Sequence, residues 1–442
     1  MSARHAFVDL SPLQESPPYR RLWVSGVLGG MGHQVAVVAV LIQVWAMTGS
    51  AYWVGAIGLA QAIPMIVLGL VGGPLADVLD RRLVAMWSTA GQAVAAMALA
   101  SQLVLGQAPV LLLLVLISVQ TACNALGAPS RRTFVKRLLP RHLVAAGVVL
   151  HMMAFQLGML VGPALGGLLI GATTPAVGYL VNAGTLLVSW WAVWRLPPIP
   201  PRPVADEAAT VAVGVRPARR PRPSVGQVWR RTRRGLSLLG EGVRMVGREP
   251  VLRGSFLLDL AAMLLSFPVA LFPMINDELF AGDATTLGLF MSAMAVGGAV
   301  TGLVSGVITR ADRLGRVQLI AVGLWGTAML ALGLAAVAGL GWAVLVSLVV
   351  AGAADTASVT SRAAMVQLAT PDSHLGRVSA VEHVVGVAGP DLGNARAGLV
   401  AGLTTPAFAA VLGGAACLAL TAWVGATHRE VGRFRVSRTP DS

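Results

Sequence analysis

Twelve stretches of this chain, each near the length a helix needs to cross a lipid bilayer, are almost free of charge. Read between charged or turn-rich breaks, they cover 22–46, 52–76, 83–105, 109–128, 144–171, 175–194, 252–275, 286–309, 316–338, 342–360, 376–403 and 406–427. A hydrocarbon core about 30 Å thick takes about 20 helical residues to cross. Inside lipid the backbone must satisfy its own hydrogen bonds, so only helices or a closed barrel can span it. No run alternates with period two, which excludes a β-barrel. The expected fold class is therefore an all-α membrane protein with 12 transmembrane helices.

Composition agrees. Of 442 residues 56% are hydrophobic and 12% charged, against about 25% charged in soluble domains. The bulk is Ala, Gly, Val and Leu, and small residues let membrane helices approach closely. The net charge of +14 could suggest nucleic acid, but the charges sit in short loops, as orientation signals do. With both termini placed in the cytoplasm, 32 of the 33 Lys and Arg fall in cytoplasmic segments. The exception, Arg396, lies inside the eleventh run. Asp277, Glu278 and Asp283 fall outside. This pattern predicts a multi-pass protein of the inner (plasma) membrane, with no nucleic-acid partner and no cleavable signal peptide. Cys123 and Cys417 both lie in apolar runs and the seven His are scattered, so neither a disulfide nor a metal site is expected.

The halves repeat. Asn124, Ser130, Arg131, Val135 and Pro140 recur 231 residues later as Asp355, Ser361, Arg362, Val366 and Pro371. Gly162-Pro163 matches Gly389-Pro390, and Arg21 and Met31 match Arg253 and Met263 at an offset of 232. Gly55, Gly69 and Gly73 match Gly288, Gly302 and Gly306 at an offset of 233. Six spans is an even number, so the two copies run parallel. We expect an N-terminal six-helix bundle (1–195), a basic cytoplasmic linker (196–250) and a C-terminal six-helix bundle (251–442). Within the linker, 197–223 is rich in Pro and Arg and reads as disordered. Residues 225–247 read as an amphipathic surface helix whose partner is anionic lipid at the cytoplasmic face.

Three motifs carry a resemblance. Gly73-Pro74-Leu75-Ala76-Asp77-Val78-Leu79-Asp80-Arg81-Arg82 resembles the signature that follows the second span of the major facilitator superfamily, with Val78 and Asp80 departing from it. The resemblance implies a cytoplasmic gate built on Gly73, Asp77, Arg81 and Arg82. Gly158, Gly162, Pro163, Gly166 and Gly167 resemble the family's Gly-Pro export motif. Phe256–Met263, Phe272-Pro273, Leu287–Phe290 and Leu375–Val378 are similar to the enterobactin-exporter-like branch. What these resemblances imply is a major facilitator fold of two parallel six-helix bundles and proton-driven export of a siderophore or other hydrophobic small molecule.

Ionisable groups at depth are costly, about 2.5–3.5 kcal/mol each on insertion scales. The first six runs hold no Asp, Glu, Lys or Arg at depth; the last six hold Asp259, Asp355, Glu382, Asp391 and Arg396. Asp391 and Asp259, then Glu382 and Asp355, are the proton-coupling candidates. A fixed Asp391–Arg396 ion pair is the structural alternative, although a five-residue spacing suits a helical pair poorly. His383 reads as a packed or lipid-facing residue. Gln34, Gln61, Asn124, Gln156 and Arg396 are substrate-cavity candidates, with interhelical hydrogen bonding as their alternative role. Four acids and one Arg suit a cationic or neutral cargo better than an anionic one. No catalytic cluster and no nucleotide-binding loop is present in the sequence. The expectation is a monomeric secondary transporter of a small molecule, not an enzyme, needing no cofactor and energised by the proton gradient. It would act as an exporter; an uptake symporter or a non-transporting sensor is the alternative.

Overall fold

The computed structural model describes residues 9–76, 79–106, 109–197, 199, 237 and 239–435. Its first six long helices are Pro17–Thr48 (α1), Ala51–Ala76 (α2), Arg81–Val104 (α3), Val110–Arg132 (α4), Val144–Ala172 (α5) and Pro175–Trp194 (α6). The second six are Pro250–Ser266 (α7), Ala284–Leu303 (α8), Leu314–Val337 (α9), Gly341–Ala369 (α10), Asp372–Leu403 (α11) and Pro406–Thr427 (α12). Pro opens α1, α6, α7 and α12, where its missing N–H is no loss. Among the described residues 11 segments are long and apolar enough to cross a membrane. The remaining one, α11, has the length, 32 residues, but carries Arg377, Glu382, Asp391 and Arg396 along it.

Span seven departs from the continuous run expected over 252–275. Its helix stops at Ser266, turns through Val269–Leu271 and resumes as Phe272–Phe280. Pro268 cannot continue the hydrogen-bond ladder. The freed N–H of Ala270 donates instead to Asn394 Oδ1 on α11, 2.9 Å away.

The tenth span also differs. It was expected to end at 360 with Arg362 in a loop, yet α10 runs to Ala369 and Arg362 is only 4% exposed. Arg131, its repeat mate, likewise lies in the last turn of α4. Both arginines are helix residues held by polar partners, so the positive-inside pattern had a structural contribution hidden in it.

Packing reproduces the repeat. In the first bundle α1 packs on α5 and α6, α2 on α4, and α3 on α4 and α6; in the second α7 packs on α11 and α12, α8 on α10, and α9 on α10 and α12. The bundles meet through α2 against α11 and α5 against α8, which the same symmetry exchanges. Glycines set that approach. A Cβ on Gly398 would stand 2.5 Å from the Gly55 Cα and 2.6 Å from the Ala51 carbonyl. A Cβ on Gly167 would stand 3.1 Å from the Gly288 Cα and 2.5 Å from the Ala284 carbonyl. Gly55 and Gly288 are repeat mates, and so are Gly167 and Gly398. This seam lies at the end of the bundles away from the Arg-rich loops.

The linker is described at 196, 197, 199, 237 and from 239 onward; residues 225–236 and 238 of the expected surface helix, and residues 198 and 200–223 of the segment read as disordered, lie outside the described residues. Leu239, Met245 and Val246 pack against Leu252, Phe256, Val366, Val378 and Val381. Glu241 pairs with Arg377 at 3.0 Å. The visible part of this helix thus docks on α7, α10 and α11, with Val243 exposed.

Gly398→Val should wedge the seam. In a protein lacking Cys123 and Cys417 and carrying Met291→Cys, a membrane-impermeant maleimide added on the side where residues 49–50 emerge should label severalfold faster once Gly398→Val is present. Unchanged labelling would mean that the seam is not the barrier on that side.

Candidate functional site

On α10, Asp355 and Arg362 are seven residues apart, two helical turns, and so share one face. That face meets α7 and α11. The Arg362 guanidinium contacts Asp259 Oδ1 on α7, and its Nε lies 3.4 Å from Glu382 Oε1 on α11. Asp259 and Arg362 are both nearly sealed, at 3% and 4% exposure. One guanidinium therefore serves two carboxylates, a geometry its fork of donors suits. Asp355 is close enough to feel the charges of both Asp259 and Arg362, yet among the described residues its carboxylate makes no hydrogen bond or ion pair. Asp259 Oδ2 is also buried without a donor.

These groups form one wall of a cavity of about 450 Å³ between the bundles. Asp259, Asp355 and Arg362 line it, with Met263, Phe267, Met291 and Met294 on the same side. The first bundle contributes Gln34, Phe155, Gln156 and Met159. Gln34 Nε2 donates to Met159 Sδ at 2.6 Å, and Phe267 stacks on Trp325 with centroids 6.1 Å apart. The cavity begins one to two turns from the glycine seam.

Other residues singled out in the sequence lie elsewhere. Gln61, Asn124 and Arg396 do not line this cavity. Asn124 Oδ1 accepts from Arg131 Nη2 at 2.5 Å, and Arg131 Nη1 also donates to Ser88 Oγ at 3.2 Å. Arg396 turns toward α12, where a Cβ on Gly413 would be 3.0 Å from its Nη2; its Nε is buried without a partner. Asp391 and Arg396 form no ion pair. Asp391 sits at the α2 seam, its carbonyl under Gly58, and is not part of the cavity lining.

In the loop motif, Asp77 and Val78 lie outside the described residues. Gly73 falls in the last turn of α2. Asp80 caps α3 by accepting from the Arg82 N–H at 2.8 Å and receives the Ile199 N–H at 3.3 Å. Arg82 donates to the Trp194 carbonyl. These bonds fasten the loop to the end of α6 in the same bundle. The Gly-Pro motif packs in two directions. Gly158, Gly162 and Gly166 face Gly30, Met31, Gln34 and Val35 on α1, while Pro163 and Gly167 face Gly288 on α8. Sequence reasoning missed Arg362 as a site residue; its spacing from Asp355 was the available signal. It also missed a bundle-to-bundle contact at the Arg-rich end, where Arg132 Nη2 on α4 lies 3.0 Å from His383 Nε2 on α11.

Two symmetry-related six-helix bundles around a polar-walled cavity define a membrane transporter of the major facilitator type. The chain matches the family described as transmembrane secretion effector over residues 8–231 and 241–433. It belongs to that family, and so is a membrane efflux transporter rather than an enzyme. It is 25% identical over 444 residues to a protein of Shigella boydii serotype 18 named enterobactin exporter EntS, covering 98% of this chain and 97% of the relative. The enterobactin exporter EntS of Shigella flexneri is 26% identical over 445 residues, with the same coverage. Among solved structures, the nucleoside transporter NupG superimposes with a TM-score of 0.71 at 15% identity, covering 92% of this chain and 98% of that one. A bacterial homologue of the lysosomal transporter Spinster gives 0.64 at 15% identity, covering 94% and 96%.

Arg362→Gln should strand two carboxylates at once. Breaking a buried pair by removing one partner typically costs about 3–5 kcal/mol, so thermal unfolding in detergent should shift down markedly. Asp259→Asn/Arg362→Gln should recover much of that loss. A single variant as stable as wild type would show that the pair carries no structural weight.

Proposed function

We propose that this chain exports a small amphipathic molecule across the cytoplasmic membrane by alternating access, driven by exchange for protons. The observation that carries the reading is the partnerless Asp355 carboxylate on the cavity wall, beside the Asp259–Arg362–Glu382 cluster. A carboxylate in a low-dielectric cavity can exchange a proton for another positive group, and intramembrane acids without partners usually have that kind of task. The names of the relatives, which are exporters, support the outward direction. The glycine seam on the far side and the cavity nearer the Arg-rich end correspond, in this reading, to a cytoplasm-facing state in which both termini are cytoplasmic.

Coupling is assigned here to Asp355 and Asp259, which line the cavity, ahead of Asp391, which does not. Glu382 acts by sharing Arg362. In this reading no cofactor takes part, a single chain suffices, and anionic lipid meets the basic linker only where the docked helix leaves it exposed. An uptake symporter has no observation in its favour.

In proteoliposomes with an imposed pH gradient, Asp355→Asn should abolish gradient-driven flux, while Asp391→Asn should keep at least half of it. Full gradient dependence in Asp355→Asn would remove that residue from the coupling role. Loss in Asp391→Asn alone would move the role to the seam.

A further inference from the structure

We infer that the cavity takes an organic cation with an apolar body, rather than an anionic cargo; this rests on the transport reading above and names its substrate class. Three carboxylates, Asp259, Asp355 and Glu382, stand against the single guanidinium of Arg362. That guanidinium is 4% exposed and turned onto two of the acids, so it has no charge to spare for an anion. Two of the groups facing the cavity without a donor are carboxylate acceptors. Asp355 has no hydrogen-bond or ion-pair partner among the described residues. Asp259 is 3% exposed, and its Oδ2 has no donor. An anion entering here would be desolvated beside excess negative charge in low dielectric, where repulsion is largest.

The remaining walls narrow the class further. Met159, Met263, Met291 and Met294 present thioethers, and Phe155 and Phe267 present rings. Polarizable sulfur and aromatic faces favour a cation whose charge is spread over apolar groups. Methionine side chains also repack around different shapes. The volume, about 450 Å³, falls in the range of small-molecule sites. A bare metal ion is a poor fit, since no cluster of three or more His, Cys, Asp or Glu able to hold one occurs among the described residues. A small, strongly hydrated ammonium would have to shed its water against thioethers and rings that return no hydrogen bonds. The cargo expected here therefore differs in charge from the siderophore in the relatives' names.

The test uses the full chain in lipid nanodiscs, with empty nanodiscs correcting for partition into lipid. Radiolabelled tetraphenylphosphonium should bind saturably at one site per chain and be displaced by ethidium. Asp355→Asn should weaken binding at least tenfold, and Asp355→Glu should restore most of it. Absence of saturable binding, equal binding by Asp355→Asn, or tight binding of a tris-catecholate probe in its place would overturn the assignment. Flux in proteoliposomes separates the two readings. Wild-type protein that moves the tris-catecholate but not tetraphenylphosphonium leaves the exporter standing and sinks the cation class. Protein that binds tetraphenylphosphonium through Asp355 yet moves it under no gradient keeps the cation class and sinks the exporter.

Discussion

Backbone against backbone, without side chains between, is how the two halves of this molecule touch at the glycine seam. In water, burial of apolar side chains would hold helices together; in lipid that driving force is nearly absent, and close packing takes its place. The contacts of Gly55 with Gly398 and of Gly167 with Gly288 are of this kind. A methyl group at any of the four would meet main-chain atoms, which cannot move aside as a flexible side chain could. The seam is thus an all-or-nothing surface. It fits when the bundles are in this arrangement and has no partly packed form, which suits two rigid bodies that rock between discrete states.

The repeat explains what the two bundles share and also where they part. Arg131 and Arg362 occupy equivalent places near the ends of α4 and α10. In the first bundle the guanidinium is held by neutral groups, Asn124 and Ser88. In the second, the Asn124 position is Asp355, and two further acids have been added on facing helices. By the offset of 232, Asp259 corresponds to Val27; by the match of Gly162-Pro163 with Gly389-Pro390, Glu382 corresponds to Phe155. One scaffold therefore carries a neutral arginine cage on one side and a charge cluster on the other. The first bundle offers the cavity amides, a ring and a thioether; the second offers its charge. In the proposed mechanism such an asymmetry would let one half serve as a passive wall while the other changes its charge state.

Much of this was legible in the sequence. Apolar run length gave all twelve helices to within a few residues at most ends, because the bilayer thickness leaves little freedom. The repeat offsets gave the pairing of α2 with α8 and α5 with α11, and hence the symmetry of the seam. What sequence could not give was side-chain direction. Asp391 has a mid-membrane depth like a coupling acid, but depth along a helix says nothing about what lies beside it, and its backbone carbonyl lies against Gly58 of α2, outside the cavity lining. Arg362 read as a loop charge because arginine ends apolar runs. It could stay in the helix only because Asp259 and Glu382, distant in sequence, were waiting on α7 and α11. The break in span seven depended likewise on Asn394 supplying the acceptor for Ala270.

Seam and charge cluster are mechanically connected through α11. This helix carries Gly398 and Asp391 against α2, Asn394 under the break in span seven, and Glu382 on Arg362. Any change in how strongly Arg362 holds Glu382 acts on the same helix that forms half of the seam. At the Arg-rich end the helix also bears His383, which Arg132 reaches from the first bundle, and Arg377, which the docked linker helix grips through Glu241. In the proposed mechanism a cargo or proton arriving at Asp355 would alter the balance of charge around Arg362, and α11 is the helix through which that alteration would reach both ends of the interface. Opening one end and closing the other then need no separate device, since one helix is the shared wall of the cavity, the seam and the loop-side contact.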